Sequence, residues 1–130
     1  GRWLAEDGAD FVHLSLRDAA GPAPFEPDSD SVAAAFRAAL PTHVPVLAAG
    51  GIWTRDDARR ATDAGVDVVV LGKVAIANPD WPRASTDPTW QPVRPPFHAQ
   101  HLRDVDVGEA FLGYLQKFAG LVDGGTSPRR

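Results

Sequence analysis

The 130-residue sequence contains no cysteine and no methionine. Without cysteine, no disulfide, zinc–thiolate site or cysteine-held iron–sulfur cluster can form within the chain. Basic charge is also short: 13 Lys and Arg stand against 17 Asp and Glu, for a net charge of −4. The cations are scattered, and no aromatic residues alternate with them, so the footprint of a nucleic-acid binder is missing. No apolar run approaches the roughly 20 residues of a membrane-spanning helix, and no signal peptide stands at the start. The expectation is a cytoplasmic protein without nucleic-acid or membrane partners.

What the chain does have is a pair of glycine-ended apolar runs. Val46-Leu47-Ala48-Ala49-Gly50-Gly51-Ile52 is followed, one helical segment later, by Val68-Val69-Val70-Leu71-Gly72-Lys73. Glycine has no Cβ to hold a ligand away, so successive backbone N–H groups there can crowd round a phosphate. In parallel β/α barrels the loops after the last two strands are a frequent phosphate site. Lys73 adds a positive charge at the edge of that place.

The rest of the pattern is strand, helix, strand, helix, strand, the mark of an α/β fold with parallel strands. Arg2 to Asp7 reads as the tail of a helix ended at Gly8. Strands are expected at about 11–16, 44–48 and 67–71, the last a β-branched run suited to burial on both faces. A Gly- and Pro-rich loop is expected over 17–27. Ser29 or Asp30 is expected to cap a helix carrying Val32, Phe36, Ala39 and Leu40 at helical spacing, stopped by Pro41. Thr54-Arg55-Asp56-Asp57 reads as a capping box with Asp in place of Glu, opening a helix with a thin alanine face that ends at Gly65.

A complete eight-unit barrel usually needs about 250 residues, and only about three units are visible here. The fold expected is therefore α/β: the C-terminal half of a TIM (β/α)8 barrel, about three parallel strands with helices, plus a C-terminal tail helix. Residues 1–82 would hold the last strand–helix units. Residues 83–106 would form a Pro-rich surface loop. Residues 107–130 would form the closing helix, with Phe111, Leu115, Phe118 and Val122 on one side, and a frayed tail from Gly124.

Three stretches carry a resemblance to a known family: Gly8-Ala9-Asp10-Phe11-Val12-His13-Leu14-Ser15, Val44-Pro45-Val46-Leu47-Ala48-Ala49-Gly50-Gly51-Ile52, and Ala64-Gly65-Val66-Asp67-Val68-Val69-Val70-Leu71-Gly72-Lys73. The last runs on into Ala75-Ile76-Ala77-Asn78-Pro79-Asp80-Trp81-Pro82. In these the chain resembles the old yellow enzyme family of NADH:flavin oxidoreductases. The resemblance implies an FMN-containing barrel that takes hydride from NAD(P)H and reduces activated C=C bonds in enone-type substrates. It implicates Ala49, Gly50, Gly51, Gly72 and Lys73 in holding the flavin phosphate. The family usually has arginine at the last position; lysine keeps the charge without the bidentate fork. Nothing in the chain matches the family's substrate-anchoring histidine pair or its tyrosine proton donor, so no catalytic residue is carried over. With no cysteine after the barrel, the chain resembles the branch without an iron–sulfur cluster.

Two other readings of the same residues stand beside this one. The chain could belong to another phosphate-gripping barrel enzyme, such as an isomerase or a synthase. It could also be a non-catalytic half-barrel that self-associates or pairs with a missing N-terminal half. Among the remaining candidates, His13 reads as a hydrogen-bonded core or lumen histidine rather than a catalytic one. Ser15, Arg17 and Asp18 follow a strand on the face where barrel sites form; they line the pocket, or Arg17 and Asp18 form a loop ion pair. His98 and His101 are three apart, but two ligands do not make a metal site. Trp81 and Trp90 read as packing residues.

Overall fold

A computed structural model describes residues 1–23 and 26–123, with only the backbone described for residues 26–29. The chain forms two compact units, Gly1–Gly72 and a second from Lys73 onward. The expectation for the tail from Gly124 lies outside the described residues. Among the described residues, no helix is long and apolar enough to cross a membrane.

The first unit runs α1 (Arg2–Glu6), β1 (Val12–Ser15), β2 (Pro22–Ala23), β3 (Glu26–Ser31), α2 (Val32–Ala39), β4 (Val46–Ala49), α3 (Arg55–Asp63) and β5 (Val68–Val70). Its main sheet has the order β1-β4-β5, with both pairings parallel. Val12 lies opposite Val46 and Ser15 opposite Ala49; Leu47 lies opposite Val68 and Ala49 opposite Val70. This is the partial α/β barrel expected from the sequence. Because the strands are parallel, all three release their chain at the same edge. Leu16–Asp18, Gly50–Gly51 and Leu71–Gly72 therefore gather at the carboxyl ends, where open and closed parallel sheets build their sites.

The period of two along a strand explains the core. Val12, Leu14, Val46 and Ala48 are buried, and α2 packs against β4 and α3 against β5 on that side. Ala61, fully buried on α3, lets the helix approach closely. The alternate residues His13 and Ser15 are exposed. Val68 is 49% exposed, which corrects the expectation that β5 is buried on both faces. Among the described residues, α2 and α3 pack on the face that carries Val46 and Ala48, and the face that carries His13, Ser15 and Val68 is the more exposed.

Two polar clusters fix the connections. The Arg37 guanidinium donates to the carbonyls of Val44 (3.0 Å), Leu40 (3.2 Å) and Pro41 (2.6 Å) and to Asp67 Oδ2 (2.7 Å). Asp67 Oδ2 also accepts from the Val46 amide at 2.8 Å. These bonds pin the α2–β4 turn to the start of β5, and the Val46 amide first, then Arg37, hold the Asp67 carboxyl below its usual range. At α3 the expected capping box forms, with the Asp57 amide donating to Thr54 Oγ1 and the Thr54 amide donating back to Asp57 Oδ2. At α2 the cap is Ser31, whose Oγ accepts from the Ala34 amide at 3.0 Å, and not Ser29 or Asp30. Those two residues belong to β3, which pairs antiparallel with β2, so the segment expected as an irregular loop is partly a hairpin.

The second unit carries α4 (Lys73–Ala77), α5 (Trp81–Ala84), α6 (Ala99–Asp104) and α7 (Glu109–Leu115). The stretch 83–106, read from its prolines as a surface loop, holds α6 and two of the most buried side chains, Phe97 and Leu102. Proline removes a helical donor but does not prevent burial. The backbone there is satisfied from outside: buried Asn78 accepts from the Val93 amide (2.9 Å) and donates to the Val93 (3.1 Å) and Val74 (2.9 Å) carbonyls. The Phe97 amide donates to Leu121 (2.8 Å) and the Asp123 amide to Phe97 (2.9 Å), bringing the end of the described chain back beside residue 97.

Candidate functional site

At the carboxyl edge of the first unit's sheet lies a cavity of about 440 Å³, within the range of small-molecule sites. Leu16, Arg17 and Asp18 from the end of β1 and Gly51 from the end of β4 line it, with Gly21 and Val32 closing it from the hairpin and α2.

The backbone geometry follows from hydrogen bonds that carry the β1–β4 ladder past its end. The Leu16 amide donates to Ala49 (2.8 Å) and the Ala19 amide to Gly50 (3.0 Å). The two loops are thereby drawn together, and this explains Gly50. Its φ is +140°, and a Cβ there would lie 2.1 Å from the Leu16 carbonyl oxygen. Gly50 is a glycine because the neighbouring backbone occupies the place of a side chain.

Gly51 and Gly72 differ. Gly51 has φ +67°, the left-handed region, but a Cβ would meet nothing closer than 3.4 Å. A Cβ on Gly72 would meet nothing within 4 Å. Among the described residues, neither amide donates to a backbone carbonyl. Both follow adjacent strands at the carboxyl edge, so two uncommitted N–H groups lie where a phosphate could approach.

Arg17 and Asp18 supply the side-chain chemistry. They form no ion pair with each other among the described bridges, so the loop-pair alternative gives way to the pocket. Asp18 is oriented by its own turn: its Oδ1 accepts from the Ala20 amide at 3.0 Å, and its carbonyl accepts from the Gly21 amide at 3.1 Å. Its charge also acts on Arg60 of α3. The site thus holds a planar cation suited to a phosphate and a carboxylate suited to moving a proton.

The five residues expected to form the phosphate cradle divide between the units. Ala49, Gly50, Gly51 and Gly72 stand at the carboxyl edge of the first. Lys73 opens the second, where it lines a different cavity. His13 is exposed on β1 rather than buried in a core. His98 Nδ1 stands 2.5 Å from Asp123 Oδ2, and His101 Nε2 is 2.8 Å from the Ala77 carbonyl. Both histidines have structural partners, and the described residues contain no group of three potential metal ligands. Sequence reading missed Gly21 and Val32; the Gly21-Pro22 pair shortly after Arg17-Asp18 was the available signal for a turn folding back over the strand end.

A parallel sheet whose carboxyl edge carries a glycine-lipped, cationic cavity defines the class: a segment of a β/α barrel. The family described as "Histidine biosynthesis protein", a family of TIM barrels, matches residues 2–89, more than half of the sequence, and the chain belongs to it. A 1-(5-phosphoribosyl)-5-((5-phosphoribosylamino)methylideneamino) imidazole-4-carboxamide isomerase of Natronomonas pharaonis is 42% identical over 82 residues, covering 61% of this chain and 31% of that protein. The isomerase of the same name from Haloquadratum walsbyi is 38% identical over 79 residues, 61% of this chain and 30% of that protein. An NADH:fumarate oxidoreductase of Klebsiella pneumoniae is 30% identical over 82 residues, 60% of this chain but 9% of that protein. The chain spans under a third of the length of the isomerases it matches.

The family match corrects the old yellow enzyme resemblance. The expectations of an FMN-dependent oxidoreductase, of NAD(P)H as reductant and of C=C reduction fall with it. The physical reason for the misreading is that glycine-ended barrel strands grip phosphate whatever the phosphate is attached to.

Proposed function

We propose that this chain carries the phosphate-binding strand–helix units of an isomerase acting on a phosphoribosyl compound, as its relatives' names describe for them. The observation that carries this reading is the cavity that unites Arg17, Asp18 and Gly51 at the carboxyl ends of two parallel strands. Arg17 holds the phosphate through its fork, and the Gly51 and Gly72 amides complete the grip. Asp18, held by the Ala20 amide, takes and returns the proton that an isomerisation moves. The remaining strand–helix units of the barrel are the partner of this segment and would supply a second acid–base group.

Titration of the 130-residue chain with ribose 5-phosphate, followed by ³¹P NMR, tests the site. A charge-assisted bond contributes about 1.5–3 kcal/mol, so Arg17→Gln is expected to weaken binding roughly ten- to a hundredfold. Asp18→Asn is expected to leave that affinity within about threefold, since its carboxylate serves the reaction and not the grip. Parent-like binding by Arg17→Gln would move the phosphate away from this cavity.

A further inference from the structure

Helix α7 buries one side and leaves an aromatic side open. Leu112 and Leu115 are buried in the second unit. Phe111, Tyr114 and Phe118 are between 45% and 51% exposed. Their spacing of three and then four residues sets all three on one side of a helix. The amides of Lys117 and Phe118 donate to the Tyr114 and Leu115 carbonyls, both at 3.1 Å, and carry the turning backbone past the end of α7 to Phe118. The rings form one continuous surface. Phe111 and Tyr114 stack with centroids 6.1 Å apart and planes 14° from parallel, and Tyr114 and Phe118 meet edge to face at 5.1 Å and 74°. The aromatics thus hold one another in place while about half of their area faces outward.

Gly113 is a second, independent sign of a partner. It stands inside α7, where glycine is less stable than alanine because its unfolded backbone is freer. Neither of the usual reasons for a glycine applies. Its φ is not in the left-handed region, and a Cβ there would meet nothing within 4 Å. Gly113 is exposed beside Tyr114, so its missing side chain leaves room for a neighbour at the aromatic side of the helix.

The charges on α7 suit a second copy of the same helix running the opposite way. Glu109 opens α7, and Lys117, just past its end, takes part in no salt bridge among the described residues. A two-fold axis near Tyr114 sets Phe111 beside the partner's Phe118 and brings Lys117 within one turn of the partner's Glu109. It also opposes the two helix dipoles. The available area limits the strength. A buried aromatic side chain covers about 150–250 Å², so three half-exposed rings offer roughly 300 Å² on each copy, about half of what a standard stable interface buries. The pairing is therefore weak and reversible, with a dissociation constant on the order of 10⁻⁴ M.

We propose that the Phe111–Tyr114–Phe118 face of α7 is a self-association surface that pairs two copies of this chain antiparallel, with Gly113 admitting the close approach. The face lies beyond residue 89, where the family match ends, so it is not a feature of the matched barrel segment. The pairing stands on the second unit alone and does not depend on the function assigned to Arg17 and Asp18.

Sedimentation equilibrium of the 130-residue chain, from about 10 μM to 1 mM, tests the pairing around its expected midpoint. The average mass is expected to climb from the 13.9 kDa of one chain toward twice that value. Tyr114→Glu sets like charges against each other at the axis and is expected to weaken association at least tenfold; Tyr114 is exposed, so the variant keeps the parent's circular dichroism. Gly113→Ala separates a structural role from an interface role. At about 10 μM, where the chain is a monomer, it is expected to melt roughly 3–5 °C higher, because alanine is the better helix former. At about 1 mM it is expected to associate about tenfold more weakly, because its methyl group fills the space the second copy needs. A chain that stays monomeric to about 1 mM overturns the proposal and gives the face to some other occupant. So does a Tyr114→Glu or Gly113→Ala variant that associates like the parent.

Discussion

Replacing Gly50 with alanine is the sharpest test of how the candidate site is built. The added Cβ would lie 2.1 Å from the Leu16 carbonyl oxygen and 2.7 Å from its carbon, where ordinary contacts begin at about 3.4 Å. The β1 loop must therefore retreat by about 1 Å or more. That loop is tied down by the Leu16–Ala49 and Ala19–Gly50 hydrogen bonds, each contributing about 1 kcal/mol. Alanine at φ +140° adds backbone strain of about 1–3 kcal/mol. The expected loss is about 3–5 kcal/mol, a large share of the roughly 5–15 kcal/mol that holds a typical domain together. Gly72→Ala is the control. Its Cβ meets nothing within 4 Å, so its cost in stability should stay within about 0.5 kcal/mol, as for most exposed sites. Urea unfolding followed by circular dichroism measures both. If Gly50→Ala unfolds within about 1 kcal/mol of the parent, the close approach of the two loops is not what requires glycine. Gly72→Ala has its effect elsewhere: it should weaken ribose 5-phosphate binding, and unchanged binding would remove Gly72 from the grip.

Asp57 gives a pH prediction. Burial works to raise its pKa, but hydrogen bonds from the Thr54 amide, Arg60, the Thr54 hydroxyl and the Trp53 amide together bring it from 3.8 down to about 2. Its side chain is 21% exposed, so the shift corresponds to about 2 kcal/mol of stability. A depressed folded pKa means this contribution is complete above about pH 4 and is lost as the pH falls toward 2. Asp57→Asn is expected to cost about 2 kcal/mol at pH 7 and to close the gap to the parent near pH 2; a constant gap across that range would refute the assignment. Val68 gives a prediction about association: half-exposed on the open sheet face, it should tolerate Val68→Glu with little change in melting temperature. If that face pairs chains in solution, the substitution should lower the molar mass seen by light scattering, and an unchanged mass would place any self-association elsewhere.

The fold was legible where local chemistry had one answer. The three strands, the Thr54–Asp57 capping box and the stops at Gly8 and Gly65 all follow from residue types whose backbone preferences no tertiary contact needed to override. The misses share a cause. Ser31, and not Ser29 or Asp30, caps α2 because β3 pairs with β2, and that pairing is set across a gap of several residues. The Pro-rich stretch around Phe97 is buried because Asn78 supplies hydrogen bonds 15 residues away along the chain. In the site, Gly50 and Gly51 look alike in sequence, yet one is fixed by the Leu16 carbonyl and the other is free to face a ligand.

The same distinction explains how a correct fold came with an incorrect chemistry. Glycine at the carboxyl end of a barrel strand reports that something must approach the backbone closely, and a phosphate and a neighbouring loop satisfy that demand equally. Neither reports what reaction follows. A hydride-transferring flavin enzyme and an isomerase can share the grip completely, because the phosphate is the part of the ligand that does not react. What separates them is the group beside the reacting carbon, and under the proposed function that group is Asp18. It is a carboxylate at the end of β1, oriented by the Ala20 amide and unpaired with Arg17. Under the proposed function this carboxylate shuttles the proton that an isomerisation moves.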